Sequence, residues 1–355
     1  MSTEPLRLGI IGLAHLHPRS YMSHLLTLPE VKVVAAAEQE NSLLELFVRD
    51  FPMDGYGGWR EMIEEQKLDL ALIFLPHALC PEAAAACAER GIHLLVEKPM
   101  AATSRGIQRM MAAAEANKVL LTAPYVWRYH PVARRMKELI REGILGEVVA
   151  LTGRCAAGRL HRYLEGHAGW MLTRALSGGG PMHNLGVHWI DLFRWLLEDE
   201  AVEVVGRTLK VNPQFDIEDH SNALVQFSRG ALLDLDISYT VPDSFPFGRD
   251  LFLSLRGTRG CLSWSPSFEG IHETLFVCCN EGEFSRLENQ QVAFDLPACL
   301  GYGGQAGLDY LKMVVHCLKF RIQPSITALD GLKALQIVEA IYLSAQSRRT
   351  EPVPA

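Results

Sequence analysis

The stretch Leu6-Arg7-Leu8-Gly9-Ile10-Ile11-Gly12-Leu13-Ala14-His15-Leu16-His17 decides how this chain is read. Its first six residues form a short, nearly continuous apolar run, as in a strand buried on both faces. Gly12 ends the run, and residues 20–28 carry apolar side chains at helical spacing. A glycine turn between such a strand and a helix is where a dinucleotide's pyrophosphate meets a helix N-terminus. The full fingerprint is G-x-G-x-x-G. Only its first glycine is present: Ala14 stands at the second position and His17 at the third. A bare strand-to-helix connection is the alternative reading.

The same alternation continues beyond this loop. Residues 31–37, 68–75, 93–96 and 119–122 read as further strands, each after a helical pattern such as residues 20–28 or 81–90. Apolar strands alternating with helices predict an α/β, doubly wound parallel sheet. A helix over residues 131–142 closes this half. After Gly146 the pattern changes. A strand over 148–158 is followed by Gly178-Gly179-Gly180 and a helix over 181–197, opened by Pro181. Strand-like runs then follow at 201–211, 222–227, 231–239, 251–255 and 261–264, with turns such as Arg229-Gly230 between them. Strands without intervening helices predict an antiparallel or mixed sheet. Helices over 304–320 and 329–347 finish the chain, and residues 348–355 read as a tail. The expected domains are 1–124 and 125–355, since 355 residues exceed what one core usually serves.

Composition narrows the function. A formal charge of −7 argues against a nucleic-acid surface, which needs dense Lys and Arg. No apolar segment approaches the roughly 20 residues that span a bilayer. The apolar run at residues 8–13 is short for a signal-peptide core and lacks a basic lead. None of the eight cysteines forms a C-x-x-C pair, so they read as reduced packing thiols in a cytoplasmic protein. His15, His17 and His24 have no metal-ligand spacing, and no metal is expected.

Three further features carry chemistry. Glu38 ends the second strand about 20 residues past the loop, where a carboxylate accepts hydrogen bonds from the adenosine ribose. Lys98, in Glu97-Lys98-Pro99, leaves the carboxyl end of the strand at 93–96 and so faces the ligand crevice of an open sheet. It can donate to a substrate oxygen and stabilise developing alkoxide charge. Asn184 and His188 are four residues apart and share a helix face, with Asp191 near it. Each has a structural alternative: a solvated strand-end carboxylate, a solvated lysine, a satisfied core histidine with Asp191 as its buried partner.

With these residues the chain resembles the glucose–fructose oxidoreductase, inositol dehydrogenase and rhizopine-catabolism (Gfo/Idh/MocA) family over nearly its whole length. The markers are Gly9-Ile10-Ile11-Gly12, the run His93 to Pro99, Trp127-Arg128-Tyr129-His130-Pro131, the segment from Gly178 to Asp191, and Gly257-Thr258-Arg259-Gly260. The resemblance implies a Rossmann domain and a C-terminal α+β domain with a large open sheet. It implies NAD or NADP, and sugars, inositols or related polyols as substrates. Lys98 matches the family's active-site lysine and His188 its catalytic histidine, with Asn184 beside them. Cofactor contacts are expected from Gly12, Ala14, His15, Leu16, Glu38, Leu75, Pro76, His77, Glu97, Lys98 and Trp170. Substrate contacts are expected from Tyr125, Arg128, His161, Arg162 and Asn184. Lys98, Asn184 and His188 are expected to line one cleft at the domain boundary.

The chain also departs from the family. Asn184 stands where Asp is usual, Pro76-His77-Ala78-Leu79-Cys80 alters a Pro-Asn-x-x-His segment, and Met171 follows Trp170 where Arg is common. The expected function is hydride transfer between the nicotinamide and a carbinol or carbonyl carbon, in a homodimer or homotetramer, with NAD preferred. The alternatives are a glycoside-cleaving enzyme that oxidises its substrate transiently, and a non-catalytic dinucleotide-binding regulator.

Overall fold

The computed structural model describes residues 4–158, 160–242, 244–245, 248–267 and 270–354. The chain forms two compact units that interleave along the sequence. Residues 1–124, 161–179 and 300–333 make up the first; 125–160, 180–299 and 334–355 make up the second. A single division after residue 124 therefore does not describe the chain. Particular contacts hold the returning segments in the first unit. The Trp170 indole N–H donates to the Ala14 carbonyl (2.6 Å), and the Thr122 hydroxyl donates to the Ile326 carbonyl (2.8 Å). The Tyr302 ring lies 4.1 Å from that of His17.

The first unit holds a six-stranded sheet made of β1 (Leu6–Ile11), β2 (Val31–Ala37), β3 (Asp54–Tyr56), β4 (Leu70–Ile73), β5 (His93–Val96) and β6 (Leu121–Thr122). The order is β3-β2-β1-β4-β5-β6, and every pairing is parallel. The chain runs outward through β2 and β3, then crosses back to the other side of β1. That reversal between β1 and β4 opens the crevice where such sheets bind ligands, at the strands' carboxyl ends. Leu8, Ile10, Ile11, Leu72, Ile73, Leu94 and Leu95 are fully buried, as strands covered on both faces require. The two strands expected at 68–75 and 119–122 are shorter than their apolar runs. β3 escaped the pattern because three residues, Asp-Gly-Tyr, are too few to show alternation.

The second unit holds a nine-stranded mixed sheet. Its strands are β7 (Val148–Ala157), β8 (Ala201–Leu209), β9 (His220–Phe227), β10 (Leu232–Ser238), β11 (Arg249–Gly257), β12 (Gly260–Trp264), β13 (His272–Cys279), β14 (Gln291–Asp295) and β15 (Glu351–Pro352). The order is β14-β13-β12-β11-β7-β10-β9-β8-β15; only β7 and β10 run parallel. Leu233, Leu235 and Ile237 of β10 point into the core, while Asp234 and Leu232 point out. The helix Val187–Leu197 lies on the inner face. A Cβ at Gly153 of β7 would come within 2.5 Å of Trp189 and 2.8 Å of Phe193.

Three expectations are corrected here. Residues 351–352 are no tail; they pair with β8 as an edge strand. β13 was not anticipated, because Glu273 interrupts its apolar alternation. That carboxylate is buried and accepts the Trp264 indole N–H (2.7 Å). The helix expected over 181–197 is a π-helical turn, Met182–Gly186, followed by an α-helix, Val187–Leu197.

Candidate functional site

In the first unit, β1 delivers the chain to Gly12, whose φ of +87° suits glycine. A Cβ there would lie 3.0 Å from the Leu75 backbone nitrogen. The expected residues Gly12, Ala14, Glu38, Leu75 and Pro76 line one cavity of about 180 Å³ at the carboxyl ends of β1, β2 and β4. Gly57, Trp59 and Phe74 line it too and were not anticipated. Gly57 and Trp59 follow the unread β3.

Glu38 is half-buried and already engaged. Its Oε2 accepts the backbone N–H groups of Leu13 (2.6 Å) and Ala14 (3.1 Å), and its Oε1 that of Glu40 (3.1 Å). A carboxylate offers about four lone-pair sites, so room for a ribose hydroxyl remains. The same carboxylate braces the loop.

His15 is 5% exposed. Its Nδ1 accepts the His17 N–H (3.1 Å), so the neutral ring carries its proton on Nε2. That nitrogen is buried with no hydrogen-bond partner. Burial, reinforced by nearby His17, holds its pKa well below the ordinary value, and the ring is neutral at pH 7. Such an orphaned donor costs about 1–3 kcal/mol unless a ligand accepts from it. The cradle at Gly12 and this donor both fit a bound dinucleotide. Leu16 packs on Gly166, where an added Cβ would come within 2.3 Å of it. His77 bonds the Ser177 carbonyl (2.7 Å) and stands edge-on to Trp170, 4.7 Å between ring centres.

Glu97 and Lys98 are both buried at the end of β5. The Glu97 Oε1 accepts the Lys98 N–H (3.1 Å), and the His17 Nδ1 lies 3.3 Å from its Oε2. Burial pushes the Glu97 carboxyl pKa up. His17, occupying the third glycine's place, thus helps hold the turn that carries Lys98, a contact that no local spacing signals. Of the expected substrate residues in this unit, His161 is exposed on the helix His161–Glu165. Arg162 folds back on Tyr163, donating to its hydroxyl (2.8 Å).

In the second unit, Asn184 sits in the π-helical turn and His188 in the first turn of the following helix; both are buried. π-turns inside helices occur often at functional sites. The Asn184 amide donates to the Tyr239 hydroxyl (2.9 Å), a partner missed because Tyr239 merely ended a strand-like run. The Tyr125 ring stands edge-on to His188, 6.2 Å between centres. Arg128 donates from Nε (2.8 Å) and Nη2 (2.5 Å) to both oxygens of Asp191, a buried bidentate pair. Asp191 therefore engages Arg128, a residue expected at the substrate, through two of its donors. Among the described residues no group of three or more His, Cys, Asp or Glu could hold a metal ion. None of their helices is long and apolar enough to cross a membrane.

Known proteins bear out the family resemblance. A family model described as "Oxidoreductase family, NAD-binding Rossmann fold" matches residues 6–125, and the GFO/IDH/MocA C-terminal domain model matches residues 133–263. The chain is 25% identical to D-glucoside 3-dehydrogenase of Escherichia coli, covering 98% of this chain and 97% of that protein. It is also 25% identical to D-xylose 1-dehydrogenase [NADP(+)] of Haloarcula marismortui, covering 79% and 74%. Myo-inositol 2-dehydrogenase from Lactobacillus plantarum shares the fold, with a TM-score of 0.81 over 99% of this chain and 100% of that one at 22% identity. The chain belongs to the Gfo/Idh/MocA family of oxidoreductases with an NAD-binding Rossmann fold.

Proposed function

We propose that this oxidoreductase moves a hydride between a nicotinamide dinucleotide and the carbinol or carbonyl carbon of a sugar, inositol or related polyol. The observation that carries the reading is a buried lysine leaving the carboxyl end of β5, in the unit whose crevice fits the dinucleotide. The sugar-directed names of two of its relatives support the substrate class. The dinucleotide, when bound, would supply the hydride donor or acceptor. His188 takes the substrate hydroxyl proton during oxidation and returns it during reduction. Lys98 donates a hydrogen bond to a substrate oxygen on which negative charge develops. Asn184 cannot accept a proton at neutral pH, so it orients a substrate hydroxyl instead.

NAD is preferred over NADP in this reading. Glu38 at the end of β2 would repel a 2′-phosphate, and Gln39-Glu40-Asn41 offer no cation for one. Fluorescence titration should find tighter binding of NADH than of NADPH; the reverse order refutes the preference. A panel of polyols, sugars and glycosides with NAD⁺, followed by NADH absorbance, then identifies the substrate. Cleavage of a glycoside with no net NADH would favour the transient-oxidation alternative.

The active form is a homodimer or homotetramer in the cytoplasm. The outer face of the nine-stranded sheet exposes Val149, Leu224 and Leu232 among its polar residues, and a second copy is the simplest cover. None of the eight cysteines falls in a C-x-x-C pair, which suits a reducing compartment. A monomer by light scattering at micromolar concentration would reject the assembly.

A further inference from the structure

Cys261 of β12 and Cys278 of β13 are directly opposite one another in an antiparallel pair. Their neighbours Leu262 and Val277 are fully buried on the inner face, so both cysteines project from the outer face, where each is half-buried. Directly opposed residues in such a pair have Cα atoms about 4.5–5.5 Å apart. A disulfide spans about 4.4–6.8 Å. The two side chains face each other across the pair, and burial together with the Cys278 thiol pushes the Cys261 pKa up, so Cys261 rests in its neutral form. Beside them the Gln290 amide lies 3.8 Å from the Cys278 sulfur. Cys279 is not a competitor: it faces Gly260 in the register and its thiol donates to the Ile144 carbonyl (3.3 Å).

We infer that Cys261 and Cys278 form a thiol pair that a small-molecule disulfide such as oxidised glutathione converts to an internal disulfide. One cysteine, as thiolate, attacks a sulfur of oxidised glutathione, forming a mixed disulfide and releasing one glutathione. The second cysteine, on losing its proton, attacks the protein sulfur of that mixed disulfide and releases the second glutathione. Two protein thiols are oxidised, and one glutathione disulfide is reduced to two thiols. The bond adds a covalent tie across two strands that are already paired, so the sheet need not rearrange. It rests on the register alone and is independent of the proposed catalytic roles.

The test uses the reduced full-length protein, freed of reductant and incubated with oxidised glutathione. Denaturing digestion with a glutamate-specific protease cuts at Glu273, between the two cysteines. Mass spectrometry should find the peptides carrying Cys261 and Cys278 joined, with the loss of two hydrogens. Cys279→Ser should leave the joined species unchanged. Cys261→Ser should abolish it and leave Cys278 free or bearing one glutathione. Wild-type protein in which both cysteines stay free, or each carries its own glutathione, overturns the inference.

Discussion

The loop Gly12–His17 of the first unit and the segment Gly180–His188 of the second treat glycine in opposite ways. The loop keeps one of the fingerprint's three glycines, the one whose φ is positive and whose added Cβ would lie 3.0 Å from the Leu75 nitrogen. At the other two places the chain tolerates a methyl and an imidazole, and the imidazole of His17 packs against Tyr302 and approaches Glu97. The second segment has no such latitude. At Gly180 an added Cβ would fall 1.9 Å from the Glu218 carbonyl oxygen, which is backbone. A glycine that serves a ligand's approach can be replaced when side chains take over the bracing. A glycine that serves a backbone crossing cannot.

The sharpest way to break that contrast is Gly180→Ala. Backbone cannot swing aside as a side chain can, so overpacking here should cost at least about 1–3 kcal/mol of stability. Denaturant unfolding of the variant measures it; a stability within error of wild type would mean that the crossing is looser than described.

A smaller effect distinguishes the loop by its pH response. Buried His15, facing His17, Glu97 and Lys98, has a depressed native pKa, whereas the unfolded chain takes up the proton near pH 6.5. The unfolded state thus binds more protons as the pH falls, and stability present above pH 6.5 is lost below it. Between pH 7.5 and 5.5 this one group should remove about 1 kcal/mol. In urea unfolding of the ligand-free protein, His15→Leu should shrink the decline without abolishing it, since burial also depresses His24 and His93. An unchanged decline would place the acid sensitivity elsewhere. The smallest effect belongs to Ala14→Gly. Restoring the second glycine should shift NADH affinity and stability by no more than about 1 kcal/mol each. A large gain in affinity would show that the missing glycine had been limiting after all.

Much of the fold could be read from residue patterns, and the limits are physical. β1, β2 and β5 announce themselves because burial on both faces makes their runs nearly continuously apolar, with Arg7, Lys32 and His93 confined to the less buried first residues. β13 hides because a buried carboxylate satisfied by Trp264 looks like a surface residue in the sequence. The interleaving of the two units hides because Trp170 and Tyr302 return to the first unit through contacts far apart in the chain. The places of Glu38 and Lys98 at strand ends, and of Asn184 and His188 at the start of a buried helical segment, were legible in the sequence. The commitments of their neighbours were not. Arg128 bonded to Asp191, and His17 beside Glu97, follow from packing that no local spacing encodes.

In the proposed mechanism His188 and Lys98 act on substrate oxygen, and neither carries the adenosine half of the dinucleotide. Steady-state kinetics of His188→Ala and Lys98→Ala, with the substrate found by the polyol panel and alongside NADH titration, tests it most directly. Turnover should fall by about 10²–10⁴-fold in His188→Ala and by a comparable order in Lys98→Ala, with NADH affinity largely retained in both. Near wild-type turnover in both variants would contradict it.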